Sequence, residues 1–226
     1  MLIVQSFNAG KSRAKWEGFS FRWYTELFQD TRIMNALTVT VTIALLAMVV
    51  ATILGTLAAI GIHAMKKRPQ SFMMTLTNLP ITMPDIVTGI SLMLLFLFTK
   101  VDRGYVTMLL AHITFDTPYV ILSVLPKLKQ MNRHTYEAAL DLGATPMYAL
   151  FHAIITGAML AFTLSLDDFT ISYFTTSPLV QNLSTLIYSA ARRGIEPTLN
   201  ALSALMFVAL LVLLLIVNRR TASNND

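Results

Sequence analysis

Between Ile33 and Ile62 the sequence contains no Asp, Glu, Lys, Arg or His. A bilayer core about 30 Å thick needs roughly 20 apolar residues to cross it as a helix, and this run is longer. Inside lipid the backbone must satisfy its own hydrogen bonds, so a helix is the form such a segment takes. The remaining composition agrees. Only 13% of the 226 residues are charged and 55% are apolar, with a mean hydropathy of +0.62. Soluble domains carry about 25% charged residues. The chain is therefore expected to be an all-α, polytopic membrane protein.

Apolar segments divide the rest of the chain. About five transmembrane helices are expected, at about Ile33–Ile62, Phe72–Thr99, Tyr105–Pro126, Ala153–Phe174 and Ala201–Asn218. The second span carries Pro80, Pro84 and Asp85 near its middle, and the fourth carries Asp167 and Asp168 towards its far end. Residues 1–32 mix charges with Trp16, Phe19, Phe21, Trp23 and Tyr24, a composition suited to a periplasmic or interfacial segment. Residues 33–218 form the transmembrane domain, with a polar loop at 127–152, and 219–226 form a cytoplasmic tail.

The formal net charge of +5 does not indicate nucleic acid, because the basic residues fall between the apolar runs as juxtamembrane Lys and Arg do. With the Lys66 and Lys127 loops inside, the connections carry eight basic residues inside and four outside. Adding the five in the N-terminal stretch turns the balance to eight against nine, so either the orientation is the reverse or, as is preferred, a further helix is expected ahead of residue 7. No cysteine is present, so disulfides and thiolate metal sites are excluded. Met1–Val4 is too short for a signal-peptide core. Gly10-Lys11-Ser12 lacks the glycine a phosphate-binding loop needs five residues before Gly10, where Gln5 stands. No H-E-x-x-H or G-x-S-x-G occurs, so no enzyme is expected.

The polar loop contains Glu137-Ala138-Ala139-Leu140-Asp141-Leu142-Gly143. Thr135 can cap a helix there, Glu137 suits its first turn, and Gly143 with Pro146 can end it. Ala138 and Ala139 are small enough for another protein to dock closely. This pattern resembles the EAA motif of ABC importer permeases, and the similarity extends along the chain. Phe7-Asn8, Trp16-x-Gly18-Phe19, Arg22-Trp23-Tyr24, Met83-Pro84-Asp85-Ile86-Val87, Ala111-His112-Ile113-Thr114-Phe115, Gly143-Ala144-Thr145-Pro146 and Ser165-Leu166-Asp167-Asp168 resemble segments of spermidine/putrescine permeases of the PotC and PotI type, in the same order.

The resemblance implies a type I ABC importer permease-like (MetI-like) fold lacking its first helix. It implies an inner-membrane permease subunit that forms the pathway for spermidine or putrescine, with ATP used by a partner subunit and no cofactor in this chain. The implied partners are an ATP-binding subunit, a second permease, a periplasmic or surface-anchored polyamine-binding protein and the lipid bilayer. Glu137, Ala138, Ala139 and Gly143 would couple to the ATPase. Two departures from the family pattern, the missing leading helix and some eight residues absent before Gly157, leave a shortened or decayed permease as an alternative, beside a permease for another small solute.

Polyamines are polycations, so carboxylates and aromatic faces are the groups sought. Asp85, Ser165, Asp167 and Asp168 are the candidate pathway residues, with Trp23 and Tyr24 as a cation–π surface or as interfacial anchors. Local capping is the alternative for Asp85, and a position at the outer headgroups for Asp167 and Asp168. His112 and Asp116, four apart, share a helix face. They read as a mutually satisfied buried pair or, more sharply, as a proton relay or part of a metal site. Asp116 stands where the resemblance leads one to expect a small uncharged residue.

Overall fold

The structure is a computed structural model and describes residues 2–10, 15–130, 146–193 and 196–222. Among these the regular elements are helices: α1 (Leu2–Gln5), α2 (Arg22–Gln29), α3 (Thr31–Ala64), α4 (Lys67–Thr82), α5 (Asp85–Phe98), α6 (Tyr105–Gln130), α7 (Pro146–Asp167), α8 (Thr170–Thr175), α9 (Leu183–Arg193) and α10 (Pro197–Ala222). Extended pairing is confined to two isolated bridges, Asn8 with Phe19 and Ser177 with Val180.

Thr31–Ala64, Tyr105–Gln130 and Leu150–Asp167 are each long and apolar enough to cross a membrane. A fourth span is reached if α4 and α5 count as one, and Pro197–Val208 is a shorter apolar helix. The chain is thus a polytopic helical membrane protein, while the expected number of five spans is not fixed by these lengths.

Two expected spans are corrected in form. Phe72–Thr99 is not one rod, since α4 and α5 meet at a 104° bend. The break lies at Met83 and Pro84, both extended. Proline disfavours helix in the residue before it, and this ends α4. Likewise Ala153–Phe174 is interrupted. Its helix begins earlier, at Pro146, and stops at Asp167, with Asp168 and Phe169 between it and α8. The polar loop is correspondingly shorter than 127–152, as α6 runs on to Gln130. Glu137, Ala138, Ala139 and Gly143 lie outside the described residues.

The chain separates into two units, Leu37–Thr185 and Met1–Ala36 with Leu186–Asp226. In the larger unit the centre is a meeting of α3, α6 and α7. Ala51, Ala59 and Ile62 of α3 pack with Val120, Ile121, Val124 and Leu125 of α6 and Ala161 of α7. Small residues permit the approach. A Cβ on Gly55 would lie 2.6 Å from Val120 Cβ, and one on Gly157 would lie 3.3 Å from Val120 Cγ1. Lipid offers no hydrophobic drive between helices, so close van der Waals packing of this kind is what holds spans together. A second cluster joins Phe96, Ala111, Phe115 and Ile171, bringing α5, α6 and α8 side by side.

In the smaller unit α10 packs on α1 and α2. Asn8 organises the segment before α2. Its Oδ1 accepts from the Glu17 amide at 2.8 Å and its Nδ2 donates to the Lys15 carbonyl at 2.8 Å. Phe7 stacks on Phe19 at 5.2 Å, with Phe21 and Tyr24 around the pair.

Candidate functional site

The larger unit contains a connected group of buried polar side chains where α6, α7 and α8 meet. His112 and Asp116 project from α6, one turn apart on the same face. Both are buried, at 1% and 0% exposure. Ser165 lies near the end of α7, Asp168 in the break that follows, Ser172 in α8 and Asn182 ahead of α9.

The bonds form a chain. Ser165 Oγ donates to Asp116 Oδ2 at 2.6 Å. That hydroxyl has one hydrogen, so its 2.9 Å contact with His112 Nδ1 has the imidazole N–H as donor. On the other side of the ring, Nε2 meets Ser172 Oγ at 2.9 Å and lies 3.6 Å from Asp168 Oδ2. Asn182 Nδ2 donates to Ser172 Oγ at 2.8 Å and to the Asp168 carbonyl at 3.3 Å. With Nδ1 carrying the imidazole hydrogen, the Ser172 hydroxyl donates to Nε2. His112 and Asp116 are therefore joined through Ser165, and the expected pair is a triad.

Asp168 has a second task. Its Oδ1 accepts from the Ile171 amide at 3.1 Å and its Oδ2 from the Ser172 amide at 2.7 Å. These amides lack partners within a helix that has just begun, and a carboxylate there also suits the helix dipole. Asn182 does the same for α9, its Oδ1 accepting from the Thr185 amide at 3.0 Å. The break in the fourth span is thus held by side chains.

Of the expected pathway residues, Ser165 and Asp168 come together in this cluster. Asp167 is exposed at the last position of α7. Asp85 is exposed in the first turn of α5, directly after the bend. One turn later on the same face, Gly89 presses against α8, where a Cβ would lie 2.9 Å from Phe174 Cδ2. Asp85 and Asp116 both act electrostatically on Tyr119. Trp23 and Tyr24 belong to the smaller unit. Trp23 is buried at 2% exposure, donates its indole N–H to the Asn8 carbonyl and carries the Arg22 guanidinium 5.3 Å from its ring centroid. Tyr24 Oη is 2.8 Å from Ser6 Oγ.

Ser172 and Asn182 were not legible as site residues. Ser172 follows Ser165 by seven residues, two helical turns, and Asn182 stands three residues before Thr185 in an N-cap pattern, so the signals were present but weak.

Comparison with known proteins adds a second kind of observation. A family described as binding-protein-dependent transport system inner membrane component matches residues 51–221. The putrescine transport system permease protein PotI of Escherichia coli (strain K12) is 41% identical over 224 residues, covering 92% of this chain and 80% of that protein. The spermidine/putrescine transport system permease protein PotC of Haemophilus influenzae is 34% identical over 233 residues, covering 100% of this chain and 91% of that protein. A PotC homolog of Mycoplasma pneumoniae is 30% identical over 154 residues, or 63% of this chain.

Proposed function

Since this chain belongs to the binding-protein-dependent transport system inner membrane component family, we propose that it is the permease subunit of an ABC importer that admits putrescine or spermidine across the cytoplasmic (inner) membrane. The observation that carries the solute assignment is the 41% identity to a putrescine permease over 92% of the chain. The family is one of transport components, and the chain itself is not an enzyme.

The distribution of carboxylates supports the same reading. A charged side chain at the bilayer centre costs about 2.5–3.5 kcal/mol on insertion scales, so exposed Asp residues in apolar helices face water or protein in preference to lipid. Asp85 and Asp167 are both exposed, and each stands at a break in a span. Broken helices are where irregular backbone lines a cavity. Ammonium groups moving along such a cavity meet anionic oxygens there, and Asp168 holds the second break in shape. Tyr24 is kept as a ring surface or anchor at the outer mouth, whereas the buried Trp23 serves as an anchor for the segment before α3.

Transport in this arrangement needs partners. A separate ATP-binding subunit hydrolyses ATP, and the connection between α6 and α7, with Glu137, Ala138, Ala139 and Gly143, carries its movement to those helices. A second permease completes the pathway, and a polyamine-binding protein delivers solute. The chain needs no cofactor of its own.

The test is uptake of labelled putrescine and spermidine by cells lacking their own permeases of this type and supplied with this chain and its partners. Energy-dependent uptake that falls in Asp85→Asn and Asp167→Asn, with the proteins still in the membrane, is the expected result. Absence of uptake with the complex assembled would favour an inactive permease. Uptake of an unrelated solute instead would reassign the pathway.

A further inference from the structure

Asp116 Oδ2 is occupied by Ser165, but its Oδ1 is buried with no hydrogen-bond partner. A buried carboxylate oxygen left bare costs more than the bond it lacks, so such an atom calls for an explanation. The neighbourhood sharpens the question. Asp168 is the second carboxylate of the cluster and acts electrostatically on both Asp116 and His112. Among the described residues no Lys or Arg is paired with either carboxylate. With a neutral imidazole and both carboxyls ionised, the cluster would hold two negative charges and no positive one.

We propose that His112, Asp116 and Asp168, linked by Ser165 and Ser172, form a buried proton-binding site. The ligand is a single proton, and the site is separate from the solute assignment above.

The bonding pattern carries the idea. One proton arriving from bulk water forms an N–H bond at His112 Nε2 and leaves a water molecule behind. The new N–H faces Ser172 Oγ at 2.9 Å, with Asp168 Oδ2 at 3.6 Å beside it. The imidazolium then stands between two carboxylates, one reached directly and one through Ser165. Two hydrogen shifts, Ser165 to Asp116 and His112 Nδ1 to Ser165, move the same charge onto the Asp116 carboxyl. The contacts between His112, Ser165 and Asp116 survive in either form, with only their direction reversed. The charge of the cluster falls from two negative to one. Interacting groups of this kind titrate as a unit.

A metal ion fits less well, as no three His, Asp or Glu side chains among the described residues converge to hold one. Among the described residues no other charged side chain is paired with the cluster. On the surrounding elements, Asp167, Asp85, Lys67, Arg68 and His63 are all exposed. The part-buried Tyr119 is a further titratable group on which Asp116 acts. Because Asp168 caps α8, proton uptake strengthens the tie between α6 and the break in the fourth span. The tie across that break thereby becomes sensitive to pH.

The decisive experiment is nitrogen-15 NMR of imidazole side chains in the assembled complex in lipid nanodiscs. Replacing His63, His134 and His152 with Gln leaves His112 as the one imidazole of this chain. The His112 signal is expected to change from one form to another as the pH is lowered. Asp116→Asn is expected to weaken proton uptake at least about tenfold, a shift of one pH unit. Asp102→Asn, an exposed carboxylate outside the cluster, should leave the titration in place. A His112 signal that keeps one form across the range would overturn the proposal, and so would a midpoint unmoved by Asp116→Asn. Should Asp116→Asn fail to assemble, the titration with native Asp116 decides by itself. No step uses solute uptake, so the outcome does not depend on the polyamine assignment.

Discussion

His112 and Asp116 lie one turn apart on α6, yet it is Ser165 of α7 that connects them, taking a hydrogen bond from His112 Nδ1 at 2.9 Å and giving one to Asp116 Oδ2 at 2.6 Å. The link ties two helices at a buried point where apolar packing alone would not fix their register. It also sets the imidazole tautomer, since the single Ser165 hydrogen is committed to the carboxylate. The serine of the S-x-D-D segment is thus a buried link between α6 and α7.

Gly55 sits where α3 crosses α6 most closely, and an added methyl would overlap Val120 Cβ and Cγ1 at 2.6 and 2.8 Å, with the Thr117 carbonyl oxygen at 3.1 Å. Gly55→Ala should destabilise the larger unit by about 1–3 kcal/mol, the usual cost of overpacking. Gly61→Ala, on the same helix with open space around it, should not. Thermal aggregation in detergent, followed for both variants, checks the difference.

Removing the Asp168 carboxylate leaves the Ile171 and Ser172 amides without their acceptor. Asp168→Ala should cost about 0.5–2 kcal/mol, as for loss of other helix-capping side chains. Hydrogen exchange at those two amides should rise in the variant. Unchanged protection would show that α8 is held by its packing against α5 and α6 and not by the cap.

Glu137→Arg should lower uptake by about tenfold or more while the protein still reaches the membrane, a loss equivalent to about 1.4 kcal/mol of coupling. Uptake and ATP hydrolysis are to be measured on the same complex. Normal transport in this variant would place the docking contact elsewhere in the loop.

Asp30, at the end of α2, accepts hydrogen bonds from the Arg32 side chain at 2.9 Å and from its amide at 2.9 Å. The Arg32 guanidinium bond is the largest influence and holds the Asp30 carboxyl below its ordinary range, against a smaller opposing effect of burial. A lowered carboxyl contributes stability above its unfolded-state value and loses it as pH falls through the folded-state value. Arg32 is solvent-exposed and Asp30 half-buried at the surface, so the effect is small and screened by salt. Arg32→Gln should move the Asp30 carbon-13 carboxyl titration to higher pH, and added salt should narrow the gap between variant and parent.

Much of the architecture was legible in the chain because lipid imposes one strong rule. Ile33–Ile62 must be helical, since no other backbone form satisfies itself there, and α3 covers it. Pro84 stood in plain view within the second apolar run, but the run read as one span, and only the structure showed that proline's constraint on Met83 ends α4 there. The order of the resembling segments pointed to the family to which the chain belongs. Asp85, Asp167 and Asp168 stood out because a charged group in an apolar span is conspicuous, and Ser165 through its place in the resembling S-x-D-D segment. Tertiary structure alone decided how they divide, with Asp85 and Asp167 exposed while Asp168 turns inward to cap α8. Periodicity places residues on faces of one helix, and it cannot see a second helix ending beside them. For the same reason the sequence shows His112 and Asp116 as neighbours on α6, whereas Ser165, 53 positions from His112, joins them only because α6 and α7 pack together.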